Sequence, residues 1–97
     1  MKIPRVVKIL GHDYQVILSP RLFTSDSTSG ICDTARHTIT LDENFAESHV
    51  AETFLHEILE GLNYHLELEL KHSKISQLSE GLFQVLRENK LSWGGKK

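Results

Sequence analysis

Apolar and β-branched residues dominate two short segments near the start of the chain, residues 5–10 and 14–18. Runs of this composition favour extended structure. Between them Gly11, His12 and Asp13 have the composition of a turn. Pro20 follows the second segment, and proline cannot donate a hydrogen bond inside a sheet. The pattern predicts a β-hairpin that ends before this proline.

A second pair of extended segments follows a serine-rich polar loop. Residues 31–33 and 37–41 flank a short turn, and in the latter segment His37, Ile39 and Leu41 alternate with two threonines. This alternation is the period of a half-buried strand. We therefore expect three or four antiparallel strands in the first half of the chain.

The apolar period changes to that of an α-helix from about residue 46. A first stripe predicts a helix over about residues 46–66, and its members are Ala51, Phe54, Leu55, Ile58, Leu62 and Leu66. A second stripe predicts a helix over about residues 72–89, and its members are Ile75, Leu78, Leu82, Val85 and Leu86. Asn89 suits a left-handed helix cap, and we expect a frayed tail at residues 93–97. The prediction is a single α+β domain over residues 1–97, with a small antiparallel sheet packed on two C-terminal helices.

The composition excludes several classes of function. The chain has 97 residues, of which 39% are hydrophobic and 25% charged, as is typical of a globular protein. The net charge of −2 gives no basic surface, so neither nucleic acid nor a membrane is expected as a partner. Cys32 is the single cysteine and cannot form an internal disulfide. Without an apolar run typical of a membrane span or a signal peptide, we expect a cytoplasmic location.

The segment His56-Glu57-Ile58-Leu59-Glu60 carries the candidate chemistry. His56 and Glu60 are four residues apart, so a helix projects both side chains from one face, as two ligands of one metal ion require. Glu57 is rotated to the side, where its carboxylate could take a proton from a water bound to the ion. Zinc hydrolases work in this way. The alternative is that His56 and Glu60 form the solvated polar face of an amphipathic helix.

A catalytic zinc ion normally has three protein ligands, so a third residue is needed. His65 fails, because on a continuous helix it points away from His56. The helical wheel places His72 at the edge of the contact between the helices and Glu80 toward solvent. We therefore prefer His72 as the third ligand. The alternative is a histidine at the start of a helix that hydrogen-bonds a carbonyl group.

These motifs resemble those of the small zincin-like metallopeptidases of phages and prophages, compact relatives of the ImmA/IrrE-type metallopeptidases. The resemblance lies in residues 53–60, in His72 with Ile75 and Leu78 after it, and in residues 82–89. The family's commoner motif is His-Glu-x-x-His with an acidic third ligand. Here the carboxylate and the second histidine have exchanged places, so that two histidines and one carboxylate are preserved. That set suits zinc, and manganese and iron(II) remain open.

The resemblance implies a metal-dependent peptidase of phage or prophage origin, with Glu57 as general base and a peptide or protein as substrate. The substrate would add as a strand to an exposed sheet edge, for which residues 37–41 are the candidate. Asn63, on the face of His56, could orient the ligands. The alternative function is a non-catalytic phage or prophage accessory protein that keeps the fold and binds another protein.

Four further residues have simpler interpretations. Cys32 and His37 could imitate a nucleophile pair, but a packed thiol and a surface imidazole are favoured. His49 lies on the face of His56, and a solvated side chain is favoured there. Gly61 follows Glu60 inside the first helix, where it indicates either a close approach of helix and strand or room for a substrate.

Overall fold

The computed structural model describes residues 2–91, and the tail at residues 93–97 lies outside the described part. The α+β class is confirmed: a four-stranded sheet is followed by two long helices. The elements in chain order are β1 (Val6–Ile9), β2 (His12–Ser19), α1 (Leu22–Asp26), β3 (Gly30–Asp33), β4 (Thr38–Asp42), α2 (Glu47–Leu66) and α3 (His72–Glu88). No helix among residues 2–91 combines the length and apolar character that a membrane crossing needs.

The sheet has the order β1-β2-β4-β3 and is mixed. Strands β1 and β2 form the predicted hairpin, and β3 and β4 form a second antiparallel pair. The expectation of antiparallel pairing throughout is wrong for the central pair, because β4 runs parallel to β2. The chain crosses over between β2 and β3, so that β4, and not β3, is the strand of the second hairpin that pairs with β2. This order leaves β1 and β3 as the two edges of the described sheet.

The crossover contains a short helix, α1, that the sequence analysis did not predict. Its Leu22 is buried. Asp42, itself buried at the end of β4, accepts hydrogen bonds from the backbone N–H of Phe23 at 2.7 Å and of Asn44 at 2.8 Å. One carboxylate therefore fixes both α1 and the turn that leads into α2.

The main core lies between the sheet and α2. Tyr14, Ile39, Leu41 and Phe54 are completely buried there, together with Ile9. The predicted inward alternation of β4 is confirmed for Ile39 and Leu41. His37 is not part of the strand: its backbone has φ of +56°, and β4 begins at the next residue. The strand therefore begins one residue later than predicted, at Thr38.

Helix α3 packs on α2 with a face that coincides only in part with the predicted stripe, since Ile75 is buried and Leu86 packs against the core. Its buried residues are Ile75, Ser79 and Phe83, whereas the predicted stripe leaves Leu78, Leu82 and Val85 largely exposed. Ser79 can be buried because its hydroxyl donates to the carbonyl oxygen of Ser76 at 2.9 Å, within the helix. The helix thus has two apolar stripes, of which the one with Ile75, Ser79 and Phe83 is buried. At its end Asn89 has φ of −102°, and the left-handed residue is Lys90 instead.

Candidate metal centre

The loop between α2 and α3 returns the chain so that the start of α3 lies beside α2. Helix α2 ends at Leu66 and is followed by Glu67, which is left-handed with φ of +53°. The side chain of Asn63 then accepts a hydrogen bond from the backbone N–H of Leu70 at 2.9 Å and donates to its carbonyl oxygen at 3.3 Å. The expectation that Asn63 orients the metal ligands directly is therefore wrong, since both ends of its amide hold the loop. The loop in turn places His72.

The two predicted histidine ligands converge on one carboxylate oxygen of the third ligand, Glu60. Glu60 Oε2 lies 3.1 Å from His56 Nε2 and 3.1 Å from His72 Nδ1. The side chain of His56 is 14% exposed and that of Glu60 30%, whereas that of His72 is 74% exposed. The structure thus brings together residues that lie on two helices, with His72 covering the site from the solvent side.

The donor set and its spacing fit a divalent transition-metal ion. The three ligand atoms, two imidazole nitrogens and one carboxylate oxygen, lie within 4.8 Å of one another. Ligands on one zinc ion at bond lengths of about 2.0–2.2 Å are at most about 4.2 Å apart, so the two separations of 3.1 Å from Glu60 Oε2 are compatible with a common ion. Burial lowers the pKa of His56, which favours the neutral imidazole that coordinates metals. The role of His56, Glu60 and His72 as metal ligands is a prediction, and this geometry supports it.

Glu57 lies beside this cluster but is buried. Glu57 is 7% exposed, and it faces the start of β3, where a Cβ added to Gly30 would lie 3.0 Å from Glu57 Oε2. Burial raises the pKa of Glu57 to about 7, and the negative charge of Glu60 contributes in the same direction. A carboxyl group whose pKa lies near neutrality can both accept and return a proton at physiological pH.

A cavity of about 380 Å³ contains all of these groups. Its walls come from α2, from His72 and from the segment that enters β3, and the lining residues are Thr28, Ser29, Gly30, Ile31, Cys32, Thr53, His56, Glu57, Glu60 and His72. The edge strand next to the site is therefore β3. The expectation that residues 37–41 form this edge is wrong, because β4 is paired on both sides.

The thiol of Cys32 lines the same cavity without nucleophilic character. Burial raises its pKa to about 12, and Glu57 adds to the effect, so the thiolate is not formed near neutral pH. Gly61 is explained by close packing, since a Cβ there would lie 3.2 Å from Ile9 Cδ1 and 3.5 Å from Cys32 Sγ. Of the two interpretations of Gly61, the approach of helix and strand is the one that these distances support.

Gly30→Ala is expected to destabilise the protein by about 1–3 kcal/mol. An added Cβ would lie 2.5 Å from Thr53 Cγ2 and would also press on Glu57, so the wall of the cavity must move. Urea unfolding of the metal-free protein measures the change. Gly81→Ala is the matched control: its Cβ meets no atom within 4 Å, and alanine there should stabilise α3 by up to about 1 kcal/mol. Equal stability of wild type and Gly30→Ala would show that this wall is not tightly packed.

The remaining histidines are distributed as follows. His49 is exposed and stacks on Phe45, with ring centroids 4.6 Å apart. Glu80, the other candidate for the third ligand, is also exposed, as the helical wheel predicts. His65 does not join His56 but lies with His12 and His37 in a second cluster that the sequence analysis missed. His37 is therefore not an isolated surface imidazole. Each of these three histidines lies at or near the end of an element, a position that periodicity does not relate to the others.

Comparisons of this chain with models of protein families, with curated proteins and with solved structures find no match. The resemblance to zincin-like metallopeptidases accordingly rests on the sequence motifs, and it becomes part of the proposal below.

Proposed function

We propose that this protein is a metal-dependent peptidase of the small zincin-like type, of phage or prophage origin and active in the bacterial cytoplasm. The observation that carries the proposal is the convergence of His56, Glu60 and His72 at one point, with a buried Glu57 in the same cavity. The solvated-helix alternative does not account for a histidine from α3 that contacts Glu60.

The metal ion would be held by His56, Glu60 and His72. Two imidazoles and one carboxylate suit zinc, and the same set suits manganese and iron(II). When bound, such an ion lowers the pKa of a water molecule and polarises a carbonyl group. The contact of both imidazoles with Glu60 keeps the three side chains close to one another before any ion is bound, which reduces the cost of forming the site.

Glu57 would act as the general base. Its carboxylate is held in the wall of the cavity, where it can accept a proton from the attacking water and pass it to the departing amine. Burial excludes competing water and makes the proton affinity of this group high enough for the transfer. The mechanism requires that Glu57 remains outside the set of ligands, as its contact with β3 indicates.

The substrate would bind as an extended strand along β3. One side of β3 is paired with β4, and its other side is an edge of the described sheet, next to Gly30 and Ile31 in the cavity wall. Backbone hydrogen bonds to an edge strand hold a peptide in extended form with little dependence on its sequence. A scissile peptide bond would then pass in front of Glu57.

Metal dependence of hydrolysis tests this function. We expect the zinc-loaded protein to cleave a denatured-protein mixture analysed by mass spectrometry, to lose the activity with a chelator and to regain it when zinc is restored. His72→Ala should remove the activity because a ligand is lost, whereas the exposed His49→Ala serves as control and should retain it. Failure of the folded, zinc-loaded protein to cleave any peptide in the mixture would contradict the proposal.

A non-catalytic binding protein is the second candidate, and one observation favours it. Leu78, Leu82 and Val85 form an exposed apolar face on α3 beside Leu59. Exposed apolar patches are common at protein–protein interfaces. If the metal binds but no variant in the cavity changes any hydrolysis, this face becomes the main functional feature.

A further inference from the structure

Three histidines from separate parts of the chain meet at the end of α2. His12 is the first residue of β2, His37 immediately precedes β4, and His65 lies in the last turn of α2. The ring centroid of His12 lies 4.6 Å from that of His37 and 4.9 Å from that of His65. None of the three belongs to the candidate metal centre described above.

The backbone and a buried tyrosine fix the positions of these imidazoles. The Tyr14 hydroxyl lies 2.7 Å from His65 Nε2, and Tyr14 itself is completely buried. His37 has φ of +56°, which is uncommon for a residue other than glycine. His12 follows a turn in which Gly11 has φ of +86°. The position of the cluster therefore depends on specific local backbone conformations and on the contact of His65 with Tyr14.

The donor set is that of a borderline transition-metal site. One nitrogen from each histidine lies within 4.8 Å of the others. Three histidines alone can hold zinc, and imidazole ligands also suit copper and nickel, whereas calcium and magnesium prefer oxygen.

We propose that His12, His37 and His65 form a second metal site that binds a zinc-like divalent transition-metal ion. An ion there would connect the turn between β1 and β2, the turn between β3 and β4, and the end of α2. Small domains with limited cores gain stability from such a metal. This site is independent of the proposed peptidase activity, because it shares no residue with the candidate metal centre.

Zinc titration of the metal-free protein by calorimetry tests the second site. We expect two equivalents for wild type and one for the double variant His56→Ala/His72→Ala, in which the first centre is disabled. His37→Asn should remove the other equivalent or weaken it by more than the about 10–100-fold that loss of an orienting partner costs. Asparagine is chosen because it tolerates the left-handed backbone at this position.

The controls separate this proposal from the first. His49→Ala should leave both equivalents, since His49 lies in neither cluster. His12→Ala offers a second test in which only an exposed residue is changed. If His37→Asn and His12→Ala both bind zinc as wild type does, the cluster is an aromatic stack and the proposal is wrong. If only the candidate metal centre fails to bind zinc, the wild-type protein should instead bind one equivalent of zinc, and His37→Asn should remove it.

Discussion

Glu57→Gln is expected to lower kcat for peptide hydrolysis by about 10²–10⁴-fold, the usual contribution of a general base. Glutamine keeps the shape of the buried side chain in the wall of the cavity but cannot take a proton from water. The three predicted ligands are unchanged, so zinc should still bind with its wild-type stoichiometry. Steady-state kinetics with parallel zinc titration measures both properties in the same preparation.

Glu80→Gln is the matched control for this substitution. Glu80 is an exposed glutamate on α3 outside both groups of candidate ligands, so its loss should change neither kcat nor zinc binding. A Glu57→Gln variant that binds zinc and hydrolyses at the wild-type rate would show that Glu57 is not the base.

The metal-free protein is expected to lose about 3 kcal/mol of stability as the pH rises from 4.5 to about 7, through the ionisation of Glu57. Burial raises the pKa of this carboxyl from 4.5 to about 7 in the folded state. The folded state therefore binds more protons than the unfolded state between these values, and stability falls with pH. Below this range the carboxyl is protonated in both states, so this loss of stability is absent. Above the range it is ionised in both states, so the loss stays constant.

Urea unfolding on both sides of this range, with a chelator present, measures the effect. The difference between wild type and Glu57→Gln isolates it from the titration of the histidines. We expect the glutamine variant to be the more stable protein at high pH, whereas Glu80→Gln should follow wild type. A constant difference in the free energy of unfolding across the range would show that Glu57 is not desolvated in solution.

Periodicity predicted the local elements of this fold well. The helix predicted over about residues 46–66 is Glu47–Leu66, and the one over about 72–89 is His72–Glu88. Both hairpins are also present. These features depend on residues close together in sequence, for which apolar spacing and turn residues carry the information. The placement of β4 beside β2 depends instead on how two hairpins dock, which alternation does not encode.

The candidate site shows the same division. The pairing of His56 with Glu60 follows from helical geometry. His72 reaches Glu60 from the edge of the helix contact, but its side chain is 74% exposed and does not face inward as predicted. The burial of Glu57 could not be predicted, because it depends on β3 lying against α2. Asn63 was misinterpreted because its spacing places it on the face of His56. Its actual partner, the backbone of Leu70, depends on the path of the loop, which the spacing does not indicate.

The proposed function depends on the binding of one metal ion by His56, Glu60 and His72. Anomalous diffraction from crystals grown with zinc tests it most directly. We expect a peak in bonding contact with His56 Nε2, a Glu60 carboxylate oxygen and His72 Nδ1, with the Glu57 carboxylate outside the coordination shell. A structure in which the imidazole of His72 turns into solvent, with no peak between α2 and the start of α3, would contradict the account.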